Sequence, residues 1–221
     1  MKSYIKILNF FKKLNVHRGY KNNSSNKKII NKFIFSYRNY KYNLDLNITL
    51  ISLYTIIKLI NILQKNNSIL IVGNIENFIF IESIKNNNIK NVIFIQKWVH
   101  GIISNWEGFQ SIVKNNHFNI KHIIKKSQKL RFFRFFYNMF NHKKPSLVII
   151  FQNEDQKTIL KECINQNIPV ICLGDNYSSS NNISYQVPSN ITNFFSYTLF
   201  IQLVLGQLSY NKINTNEKKN I

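Results

Sequence analysis

The chain has 221 residues, 44% hydrophobic and 14% aromatic, which excludes a disordered polyelectrolyte and allows one domain with a sizeable core. Thirty Lys and Arg against nine Asp and Glu give a formal charge of +21 and a pI near 10.0. Such an excess repels itself in a free monomer, so a polyanionic partner is expected, nucleic acid ahead of a membrane surface.

In chain order, the apolar spacing of Tyr4, Ile5, Ile7, Leu8, Phe11 and Leu14 predicts a basic amphipathic helix over 3–14. The stretch "HRGYKNNSSNKK" reads as a polar loop, and "KFIFSYRNYKYNLDL" as extended chain. A long apolar helix is expected over 47–66, capped by Asn47 or Thr49. It contains a lysine, and no run of about 18 apolar residues is free of charge, so no transmembrane helix is assigned. A regular alternation follows: strand 68–73, helix 74–86, strand 91–96, helix 105–115, strand 145–151, helix 154–167, strand 168–174, a short strand 184–188 and a helix 189–208 capped by Ser189 or Asn190. Strands that are apolar on both faces and alternate with helices indicate a doubly wound three-layer α/β domain with a mostly parallel sheet. One α/β domain over 1–208 is expected, with a polar, frayed tail over 209–221. Within it the acid-free segment 121–144, "KHIIKKSQKLRFFRFFYNMFNHKK", reads as a basic helical excursion that interrupts the alternation.

Nucleotide and catalytic motifs are thin. Gly73 stands in "GNIENF" and Gly174 in "LGDNYSSS", neither with the second glycine or the G-K-[ST] ending that cradles phosphate. Asp175 follows a strand but has no histidine near it in sequence. The five histidines have no H-x-x-x-H or H-E-x-x-H spacing, and Cys163 and Cys172 have no partner pair. Both cysteines are expected as buried apolar groups in a reducing compartment. No enzymatic activity, cofactor, metal or small-molecule substrate is expected.

The densest stretch is "KWVHGIISNW", which holds both tryptophans and one of six glycines and follows a strand. Trp106 should be buried and anchor the next helix. Trp98, beside Lys97 and His100, should either brace the loop or stack on a base or ribose. In the basic excursion Lys125, Lys126, Lys129, Arg131 and Arg134 interleave with phenylalanines; the cations suit phosphates and the rings suit packing on the domain. A membrane-surface helix is the competing reading there.

The order of motifs resembles the second protein of the small ribosomal subunit, bacterial and organellar type. "VHRGY" (16–20) stands for the family's "VHxGH", "FIFSYRN" (33–39) for "FIFGxRN" and "YNLDLNIT" for "INLxxT". "ILIVGNI" stands for "ILFVGTK", "KWVHGIISNW" for "RWLGGxLTNW" and "PSLVIIFQ" for "PDALFVID". "NIPVICLGDNYSSS" and "ISYQVPSNI" complete the series, from about Leu14 to Gly206. Tyr20, His100, Asn74 and Ile75 depart from the pattern. The resemblance implies a flavodoxin-like domain with a basic excursion in place of the family's coiled-coil protrusion. It implies a structural rRNA-binding constituent at the head–body junction of the small subunit, among neighbouring ribosomal proteins and away from any membrane. A nucleotide-dependent α/β enzyme or a basic membrane-surface protein is the alternative. It also implies RNA-facing positions at His17, Arg18, Arg38, Lys97, Trp98 and His100. The chain has no alanine, while residues with AT-rich codons abound. Because the resemblance starts close to the family's usual beginning, a protein encoded within an organelle is expected, the mitochondrion ranked ahead of the plastid, with a reduced bacterium as the alternative source.

Overall fold

The computed structural model describes residues 2–21, 33–38, 41–63, 67–73, 92–95, 98–115, 139, 142–151, 156–174, 183–190 and 193–217. At its centre lie β4 (Ser68–Gly73), β5 (Val92–Ile95), β6 (Pro145–Phe151), β7 (Val170–Leu173) and β8 (Tyr185–Val187), all parallel, in the order β5-β4-β6-β7-β8. Counted from β4 this is 2-1-3-4-5, the flavodoxin-type doubly wound order.

Strand alternation sorts the apolar residues into two cores. Ile69 and Ile71 of β4 face one side with Leu147, Ile149, Ile171 and Leu173. On them pack α1 (Lys2–Lys13) through Phe11, α2 (Leu46–Leu63) through Leu53, Ile56 and Ile60, and α5 (Phe194–Glu217) through Phe200, Ile201 and Val204. Leu70 and Val72 face the other side with Val148, Ile150, Val170 and Cys172. There α3 (Trp106–Asn115) contributes Trp106, and α4 (Gln156–Asn165) contributes Ile159, Leu160 and Cys163. Both faces of β4 and β6 are therefore covered, which is why their sequences carry unbroken apolar runs.

Local chemistry sets the helix ends. The α2 cap is Asp45, whose carboxylate accepts the Asn47 N–H at 2.8 Å; Asn47 and Thr49, the expected caps, lie inside the helix. Thr49 sits on the buried face and donates its hydroxyl to the Pro188 carbonyl at 2.6 Å. Asn193 caps α5, accepting the Phe195 N–H at 3.1 Å, in place of Ser189 or Asn190. Those two are held earlier: Ser189 is buried against the Val187 carbonyl, and Asn190 donates its backbone N–H to the Val16 carbonyl. At its far end α5 runs on to Glu217, so the backbone over 209–217 is helical where a frayed tail was expected. Among the described residues α2 is long and apolar enough to cross a membrane, with mean hydropathy 1.8. Here it lies against the sheet as a core helix.

The segment expected as a loop after Val16 is instead partly strand. β1 (Arg18–Lys21), β2 (Ile34–Arg38) and β3 (Lys41–Leu44) form a second, antiparallel sheet in the order β1-β3-β2. Its polar sequence hid it, because it covers only a small cluster of Tyr42, Leu44, Phe33 and Ile34. The expected helix 74–86, with its Glu76 and Glu82, and 121–138 of the basic excursion lie outside the described residues. Of that excursion Met139 joins the second core, and His142 to Lys144 lead into β6.

Candidate nucleic-acid interface

Two surfaces carry the residues singled out from sequence. The first is the turn after β5. Both tryptophans are core residues, Trp98 4% exposed and Trp106 1%. Trp98 packs inward with the second core, a position suited to bracing the turn. Its indole N–H donates to Glu162 Oε1 at 3.3 Å. The same oxygen accepts the Gly101 N–H at 2.7 Å, and Oε2 accepts the Ile103 N–H at 3.3 Å. Glu162 is itself 8% exposed, on α4. One buried carboxylate thus holds three donors of the turn, and charge-assisted bonds of this kind are the stronger class. Gly101 adopts φ +86°, a left-handed conformation that glycine enters without penalty. The Asn105 N–H then closes the turn on the Gly101 carbonyl at 2.9 Å. His100 stands exposed at the apex, and Lys97 lies outside the described residues.

The second surface is the antiparallel sheet. Gly19 lies against the Tyr42 ring so closely that an added Cβ would fall 1.9 Å from Cε2. The glycine of "VHRGY" is therefore a packing requirement that seats β1 on β3. Arg18 beside it is exposed. His17 keeps a buried Nδ1 without a hydrogen-bond partner. Burial first, then the charges of Arg18 and Lys12, hold its pKa below the usual 6.5. Arg38 closes β2, and the register places Lys21, Lys41 and Arg38 on one rung.

At the carboxyl ends of β4 and β6, where this fold takes its ligands, aromatic rings close in. A Cβ on Gly73 would meet Phe151 Cβ at 3.0 Å and the Tyr197 hydroxyl at 3.2 Å. The Phe151 and Tyr197 rings pack edge to face at 5.3 Å, and burial pushes the Tyr197 phenol up to about 12. Gly73 is thus a close-contact glycine. Among the described residues no group of three His, Cys, Asp or Glu could hold a metal. Cys163 and Cys172 are free and buried, and burial pushes both thiols up to about 12, in keeping with small apolar core groups. Asp175, and Lys125, Lys126, Lys129, Arg131 and Arg134, lie outside the described residues.

Sequence reasoning passed over Glu162, the carboxylate that holds the turn. Glu162 carried a signal in its rarity, as one of nine acids placed beside the apolar stripe of a helix. The basic character read for the N-terminal helix extends further along the chain: the first acid is Asp45, after eleven Lys and Arg.

Compared with known proteins, residues 13–208 match the family model described as ribosomal protein S2. A curated relative, the small ribosomal subunit protein uS2c of Galdieria sulphuraria, is 27% identical over 211 residues, covering 87% of this chain and 86% of its own length.

Proposed function

The chain belongs to the ribosomal protein S2 family, by a match over residues 13–208, and from that premise we propose which of its surfaces meet rRNA. As a family member it is a structural constituent of the small ribosomal subunit and not an enzyme, with rRNA and ribosomal proteins as partners. The observation that carries the finer reading is the acid-free stretch before Asp45, whose described residues include α1 and the antiparallel sheet. Phosphates are the counter-charge that such a surface lacks. His17, Arg18 and Arg38 then face rRNA from the antiparallel sheet, and Lys97 and His100 from the turn after β5.

In the same reading, Lys125, Lys126, Lys129, Arg131 and Arg134 place a further basic strip on rRNA, in an excursion that replaces the family's coiled-coil protrusion. The protein sits at the head–body junction of an organellar small subunit. The AT-rich residue usage and the likeness to uS2c of Galdieria sulphuraria support the organelle; fractionation of tagged protein distinguishes mitochondrion from plastid.

Purified protein should bind small-subunit rRNA with log affinity falling linearly against log salt, and should co-sediment with small subunits. Salt-insensitive binding would overturn the phosphate reading. Flotation with anionic liposomes after ribonuclease treatment would favour a membrane surface instead.

A further inference from the structure

Beyond phosphate contact, we propose that the antiparallel sheet is a stacking platform for unpaired nucleotides, with Phe35 as its aromatic anchor. The inference rests on the RNA reading above and adds a ligand class, single-stranded or looped-out RNA, to one surface of it. Phe35 is 77% exposed, an unusual position for the largest purely apolar ring. The ladder explains how it gets there. Pairing steps from Ile34 opposite Leu44 to Ser36 opposite Asn43, so Phe35 occupies a bulge and faces no residue of β3. Bulges re-aim a side chain while the strand continues. Tyr37, two residues on, is 59% exposed.

The strands of this sheet are basic in sequence. Its three strands hold Arg18, Lys21, Arg38 and Lys41 and no acid. Edge strands often carry lysine to discourage pairing with other chains, but Lys41 is on the central strand. Its backbone pairs with Lys21 on one side and Arg38 on the other. Two residues along β3, Asn43 stands between Arg18 and Ser36 and donates its side-chain amide to the Ser36 hydroxyl at 3.1 Å. Exposed ring, amide, hydroxyl and cations on one small sheet are the elements with which proteins hold unpaired bases, the ring by stacking and the cations along the backbone. A duplex has no free base face to offer Phe35, so the platform discriminates against it.

The test compares a short oligouridylate with a blunt RNA duplex of equal phosphate number, using the full chain and fluorescence anisotropy. Phe35→Ala should weaken oligouridylate binding roughly five- to 150-fold, the range for one lost base stack. It should leave duplex affinity and the salt slope unchanged, because no charge is removed. Phe35→Trp should restore the loss, whereas Lys41→Gln should lower the single-strand salt slope by about 0.7. If the wild-type chain binds both RNAs and Phe35→Ala weakens neither, or weakens both equally, the platform is wrong while the RNA reading stands. If the wild-type chain binds neither RNA, that reading fails and the platform with it. A Phe35→Ala protein with normal affinity for both RNAs that no longer joins small subunits would make the surface a protein contact and overturn the stacking role.

Discussion

The turn after β5 and the antiparallel sheet solve opposite problems with similar residues. In the turn, an aromatic ring next to basic residues is drawn inward: Trp98 joins the core and is tied to Glu162. In the sheet, whose strands also carry basic residues, an aromatic ring is left outward, at the Phe35 bulge. The difference lies in what each surface has to cover. The turn closes over the face of a five-stranded sheet, where a large ring buries much apolar area. Among the described residues the small sheet has four apolar residues in its own cluster, too little to bring Phe35 under cover. An aromatic beside lysines therefore says nothing about RNA until the apolar area beneath it is known.

The contrast is tested most severely at Trp106. Trp106→Ala should lose about 3–5 kcal/mol of stability in chemical denaturation, and Phe35→Ala less than about 0.5 kcal/mol. Similar losses at both positions would erase the distinction between inward and outward rings.

Next in size is Glu162. Glu162→Ala leaves the Gly101, Ile103 and Trp98 donors without their acceptor and should cost about 1–3 kcal/mol. Hydrogen exchange at the Gly101 and Ile103 amides should accelerate, with β4 and β6 still protected. Uniform acceleration would mean that the carboxylate supports the whole domain and not the turn.

On the sheet side, Gly19→Ala forces the Tyr42 ring to move and should cost about 1–3 kcal/mol. Pairing it with Tyr42→Ser should show favourable coupling, since the smaller side chain makes room for the methyl group. Strict additivity would show that Gly19 is needed for its backbone freedom and not for the ring.

The smallest effect concerns protons. Burial and the neighbouring cations lower the His17 pKa in the folded protein. The unfolded chain then binds the proton more readily, so this group subtracts stability as pH falls below about 6.5. Nothing is subtracted above that value. By NMR the free protein should titrate His17 below 6.5, and bound RNA should move the midpoint upward, because phosphate favours the charged ring. A midpoint unmoved by RNA would place His17 away from phosphate.

Much of the central sheet was legible because burial on both faces writes itself into composition. β6 matches its expected span of 145–151, and β4, β5, β7 and β8 fall inside theirs. Helix caps were less legible, since Asp45, Asn47 and Thr49 are all capable and only packing chooses among them. Here Thr49 is claimed by the Pro188 carbonyl, 139 residues away, leaving Asp45 at the helix end. β1 was missed because a strand that covers almost nothing has no periodicity to find.

Sequence alone determined the alternating α/β architecture, the need for a polyanion and, through the order of weak motifs, the family. These are properties of composition and local period, and they survive without knowledge of which residues touch. Tertiary structure decided which candidates face outward. It turned Trp98 inward and gave the turn its carboxylate from α4, sixty-four positions along the chain. It also left Phe35 exposed on a bulge. Those outcomes depend on the apolar area and the hydrogen-bond partners that distant segments bring, and no local window of residues contains either.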